Sequence, residues 1–123
     1  AVFLSKNKNI KKTFILKNKK EEIILKNINS KFDYPIVTYF REFSAPVEWE
    51  TDTTFSEKLL ILELETDYFT IYDTIKSLYK KIIFKRIFEK PDFIIEKKLI
   101  TTLKSIIRNN KTINSTLHSI FKL

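Results

Sequence analysis

Hydrophobic and polar positions divide the chain near Thr66 into two halves with different periods. Before Thr66 the apolar positions alternate. In VEWETD, Val47, Trp49 and Thr51 oppose Glu48, Glu50 and Asp52; in LLILELET, Leu60, Leu62 and Leu64 oppose Ile61, Glu63 and Glu65. Period two with one wet face is the pattern of an antiparallel strand. TFILKN (13–18), EEIILKNI (21–28) and PIVTYFREF (35–43) are apolar, β-branched or aromatic enough to add three more strands. Pro46 limits where a ladder can continue, and the link 53–58 suits a hairpin.

After Thr66 the period lengthens. Apolar residues at 68, 71, 72, 75, 79 and 82 define one helical face, with Thr66 or Asp67 placed to cap its start. Pro91 ends this helix and suits the opening of the next. The second helix, about 92–109, carries Ile95, Leu99, Ile100, Leu103, Ile106 and Ile107 on one side and stops at Asn109-Asn110. A short helix is expected at about 113–122. The pattern therefore predicts one α+β domain over 1–123: an antiparallel meander of 4–5 strands (about 11–66), then two or three basic amphipathic helices (about 67–122). The first ten residues or so are expected to form a flexible basic arm.

One stretch breaks the helical rule. In IKSLYKKIIFKRIFEKPDF (75–93), Ile75, Leu78, Tyr79 and Ile82 continue the inner face begun at Ile71, while Lys76, Lys80 and Lys81 point outward. From Phe84 the phase shifts, and Phe84, Ile87 and Phe88 fall on the formerly wet side. A one-sided helix cannot bury both sets. Either the helix kinks or ends near Phe84, or it presents a second apolar face to another helix or a partner. Phe84, Ile87 and Phe88 are therefore the candidate partner-binding residues.

Composition removes several chemistries. The 123 residues include no Gly, which excludes the phosphate-cradling loops of P-loop, dinucleotide-binding and kinase motifs. Turns that need a positive φ are expected to fall on Asn or Asp. No Cys is present, so there is no disulfide or thiolate chemistry. No apolar run approaches a bilayer span. Lys outnumbers Arg 20 to 3, the bias of an AT-rich genome such as an organelle's, a parasite's or a virus's. The first twenty residues hold seven Lys and no acid, the basic character of a transit peptide, but their pattern is that of a strand. The expected location is intracellular, with a mitochondrion or other organelle among the compartments.

Charge is segregated. Residues 1–33 carry nine Lys against three acids (net +6), residues 34–75 carry Arg41 and Lys58 against nine acids (net −7), and residues 76–123 carry twelve cations against three acids (net +9). The total of +8 points to an anionic partner.

No catalytic, metal or cofactor site emerges. His118 is the single histidine, and no nucleophile elbow surrounds Ser115 or Ser119. Glu48, Glu50 and Asp52, with Glu63, Glu65 and Asp67, could line facing strands and hold Mg²⁺. Repulsion between like charges across a hairpin favours instead a wet face, or pairing with the Lys-rich strands at 11–26. PDFIIEKK resembles nuclease motifs that join PD to an acid-x-Lys, but those elements come from separate strands and this is one helical segment.

Nucleic-acid binding is the better fit. Lys97, Thr101, Lys104 and Arg108 form a row opposite the apolar stripe of the second helix, where core packing does not need them. Lys76 and Lys80, and Lys11, Lys12, Lys19 and Lys20, are the further candidates. LKSIIRNNKTINSTLHSIFKL is similar to the reading pair of helix-turn-helix regulators, although Asn stands where a turn Gly is common and no wing follows. Tyr34, Tyr39, Phe40 and Phe43, alternating with Lys31 and Arg41, could stack bases, but core packing is their more usual role. The expectation is a non-enzymatic, basic RNA-binding structural component of a ribonucleoprotein such as an organellar ribosome, RNA being favoured over DNA. The alternative is a non-catalytic protein-interaction or accessory subunit of an organellar or viral complex.

Overall fold

The computed structural model describes Val2–Leu4, Ile10–Lys11 and residues 13–15, 17–24, 36–44 and 47–109. Helix dominates: α1 (Phe55–Leu64), α2 (Tyr68–Phe88) and α3 (Phe93–Asn109). Three very short strands, β1 (Val2–Leu4), β2 (Ile10–Lys11) and β3 (Ile36–Thr38), pair antiparallel in the order β2-β1-β3.

The expected meander does not form. Residues 13–15, 17–24 and 47–54 are not strands, and 35–43 contributes only Ile36–Thr38 before a 3-10 turn at Arg41–Phe43. Residues 25–35, the end of one expected strand and the start of another, lie outside the described residues, as does the expected helix at 113–122.

The largest departure is LLILELET, which is helical through Leu64. Five of the six residues 59–64 are apolar, and four of them are Leu. Leu and Glu are good helix formers, and Ile61 is the single β-branched residue of the six. A capping box starts the helix: the Thr54 hydroxyl accepts from the Glu57 N–H at 3.3 Å, and the Glu57 carboxylate accepts from the Thr54 N–H at 2.6 Å. Such a cap contributes about 1 kcal/mol. The apparent alternation reflects burial on two sides. Phe55 and Leu62 enter a core with Ile71, Ile75, Leu78, Leu99, Leu103 and Ile106, while Ile61 packs with Ile36 of β3.

Helix α2 begins as expected, with Asp67 as N-cap, and α3 spans nearly the expected residues. Asp92 accepts from the Ile95 N–H at 3.2 Å, so Pro91 immediately precedes a capping residue. The inner faces are narrower than the apolar patterns. Thr70, Thr74 and Thr102 are buried, whereas Tyr68, Tyr79, Ile100 and Ile107 are exposed. The phase shift at Phe84 produces no break: α2 runs through to Phe88, and its last turns project from the core.

With no Gly in the chain, the two positive-φ positions among the described residues fall on Phe40 (φ 51°) and Glu42 (φ 57°), not on Asn or Asp. Such backbone costs of order 1–3 kcal/mol per residue unless its surroundings impose it. The Glu42 N–H donates to Asp67 Oδ1 at 3.1 Å, which ties the strained turn to the α1–α2 junction.

Candidate nucleic-acid interface

The middle carboxylates form a structural staple. Glu65 is buried between α1 and α2, its side chain 0% exposed. Its Oε1 accepts from Arg41 at 2.8 Å and from the Thr66 and Asp67 N–H groups at 2.7 and 3.0 Å; its Oε2 accepts from the Thr38 hydroxyl at 2.9 Å. Asp67 Oδ2 accepts from the Thr70 N–H and hydroxyl at 2.8 and 2.7 Å. These two acids are thus paired internally, with Arg41, hydroxyls and backbone, and not with the Lys-rich 11–26 segment. Among the described residues of that segment, Lys11 alone makes an ion pair with the acidic block, an exposed 3.6 Å contact to Glu42. Among the described residues no cluster of three acids or histidines is arranged to hold a metal ion.

The helical cations fall into two groups. Near the α2–α3 turn they are neutralised: Arg86 holds Glu96 in a two-point contact at 2.7 and 2.6 Å, and Lys85 lies 3.8 Å from Asp92. The Arg86 hydrogen bonds, reinforced by its charge, hold the Glu96 carboxyl below the usual glutamate range. Farther from the turn, Lys76, Lys80 and Lys81 on α2 and Lys97, Lys98, Lys104 and Arg108 on α3 are exposed and enter no ion pair among the described residues. The row Lys97, Lys104 and Arg108 lies opposite the buried Leu99, Leu103 and Ile106. Lys19 and Lys20 are exposed in a bend, and Lys12 lies outside the described residues.

A cleft of about 470 Å³ runs beside α2. Tyr39 and Trp49 form one end, Lys76 and Lys80 of α2 border it, and Lys58 of α1 and Asp73 of α2 face it. Lys58 and Asp73 are part-buried, and Lys58 donates to the Ser77 hydroxyl. Desolvation, with Lys81 nearby, lowers the Lys58 pKa; desolvation raises that of Asp73 against the pull of Lys76 and Lys58. At its aromatic end the cleft continues into a hollow lined by Phe40 and Asp52; at the other end it continues towards Lys81 and Phe84. Trp49 is held by Phe40 and Phe69, with ring centroids 4.9 and 6.2 Å away.

Lys58, Asp73 and Trp49 were not among the sequence-derived candidates. Their signal was slight: Lys58 and Arg41 are the two cations of the acidic block, and the structure brings both into polar networks.

Phe84, Ile87 and Phe88 do not enter the core. Phe84 is 54% and Phe88 69% exposed, their rings 4.8 Å apart. Phe93 and Ile94, across the short turn on α3, are equally open. No helix among the described residues is long and apolar enough to cross a membrane. No protein-family model matches the chain, and no solved structure matches it.

Proposed function

We propose that the chain is a non-enzymatic RNA-binding component of a larger ribonucleoprotein assembly. The observation that carries this reading is the set of exposed cations on the outer faces of α2 and α3 that enter no ion pair among the described residues: Lys76, Lys80 and Lys81, and Lys97, Lys98, Lys104 and Arg108. Cations held at intervals on rigid helices suit a phosphate backbone, while four of the acids are committed elsewhere: Glu65 and Asp67 to the buried staple, Asp92 and Glu96 to Lys85 and Arg86. Four neutralised phosphates on a single strand give a log–log salt slope of about −3, so a threefold rise in salt weakens binding about thirtyfold. Titrating a poly(U) RNA at several salt concentrations measures this. An affinity flat with salt would remove the reading. The combined variant K97E/K104E/R108E is expected to weaken binding and flatten the slope.

A second reading rests on a separate observation, the exposed apolar end of the α2–α3 hairpin. Large exposed apolar patches mark contact surfaces. With Lys80 and Lys81 one turn behind Phe84, and Lys97 and Lys98 one turn beyond Phe93 and Ile94, the fitting neighbour is a protein with an apolar pocket rimmed by acids. Phe84→Asp is expected to leave the isolated chain folded and to remove it from the assembly co-purified with nuclease treatment. Unchanged co-purification would leave the patch without a protein partner.

A further inference from the structure

The geometry points to the cleft beside α2 as a site for an unpaired guanine base. This rests on the RNA-binding reading and deepens it from phosphate contact to base recognition. The cleft volume, about 470 Å³, falls in the range of small-molecule sites. Three features of its lining select the ligand.

The first is a pair of aromatic side chains. Tyr39 and Trp49 both line the cleft, and the tilted contacts of Trp49 with Phe40 and Phe69 hold the indole in place. Unstacked bases of single-stranded RNA are held on such aromatic faces.

The second is a pair of opposite charges on neighbouring helices that do not satisfy each other. Lys58 spends one donor on Ser77. Asp73 makes no ion pair with it and has no hydrogen-bond partner among the described residues. Both are part-buried, and beyond the attraction of Lys76 and Lys58 for Asp73 neither has a full set of partners among the described residues. A carboxylate accepts through two oxygens, and guanine presents two adjacent donors, N1–H and the N2 amine, beside the acceptor O6 that a lysine reaches. Adenine and cytosine offer one amine beside one acceptor, and uracil one imide N–H between two carbonyls, so each leaves part of the pair unsatisfied.

The third is the rim. Lys76 and Lys80 border the same cleft from α2, where they can meet the phosphate attached to a bound nucleoside. Glu50 also lines the cleft and opposes a phosphate on its own side, which leaves the α2 side as the phosphate path.

The chain's single Trp stands in the cleft wall, so its fluorescence reports occupancy directly. Titrating the full chain with 5′-GMP is expected to quench Trp49 saturably, with affinity about tenfold or more above that for AMP, CMP or UMP. Inosine monophosphate lacks only the N2 amine and is expected to bind about tenfold more weakly than GMP, a test that alters no residue of the protein. Asp73→Asn, checked for native circular dichroism, is expected to bring GMP within about threefold of AMP. Equal affinities for the four nucleotides, no saturable quenching, or GMP and inosine monophosphate binding alike would overturn the proposal. A poly(U) titration in parallel separates the two readings. Salt-dependent poly(U) binding without GMP selectivity overturns the guanine site and leaves RNA binding standing. GMP selectivity without any RNA binding identifies a free-nucleotide site and overturns the RNA reading on which this proposal rests.

Discussion

Glu65→Ala is expected to destabilise the fold by about 3–5 kcal/mol, the range for removing one partner of a buried ion pair. The side chain is fully buried, and its two oxygens accept from Arg41, Thr38 and the Thr66 and Asp67 N–H groups. Removal strands these donors in a site with little water. Arg41, its side chain 18% accessible, and the exposed Thr66 recover some hydration, which moves the expected cost towards the lower end. Arg41 Nε is already buried without a partner, and the guanidinium would keep its 3.0 Å hydrogen bond to the Thr66 hydroxyl as its remaining anchor. Glu65→Gln retains an acceptor for Thr38 and the backbone and is expected to cost less. Urea denaturation of the three proteins measures the series. A loss below about 1 kcal/mol for the alanine variant would mean that the staple contributes little to stability.

Leu78→Ala is expected to cost about 2–5 kcal/mol. Leu78 is 0% exposed and packs in the core with Leu62, Ile75 and Leu99, so truncation leaves a cavity ringed by three helices. Six residues later on the same helix, Phe84→Ala is expected to change stability by about 0.5 kcal/mol or less, because the ring is already more than half in water. The contrast, read as shifts in urea midpoint at unchanged slope, tests whether α2 divides into a core segment and a projecting end. Equal costs at the two positions would place Phe84 in a packed environment and contradict the exposed end.

The helical half of the fold was legible because its signals are local and agree with each other. Asp67 caps α2, Pro91 separates α2 from α3, and the period-3.6 stripe of α3 supplies Leu99, Leu103 and Ile106 to the core. The strand half was misread because alternation over six residues does not distinguish a strand from a helix buried on two sides. Thr54-x-x-Glu57 was the signal that would have separated them, since a capping box specifies a helix start and has no role in a hairpin. The candidate lysines of α2 and α3 were legible as exposed positions, because the helical period alone places them opposite the core.

Sequence alone determined where cations accumulate, where α2 and α3 begin, and that Phe84, Ile87 and Phe88 cannot share a buried face with Ile75 and Leu78. Each of these depends on spacing within one segment. Tertiary structure decided that Glu65 is a buried hub, although it looks like one more acid on a wet strand, because its partners Thr38 and Arg41 lie more than twenty residues away. It also decided that Lys58 and Asp73 face one cleft with Trp49. Those residues come from two helices and a loop, and no periodicity within any one of them encodes the distance to the others.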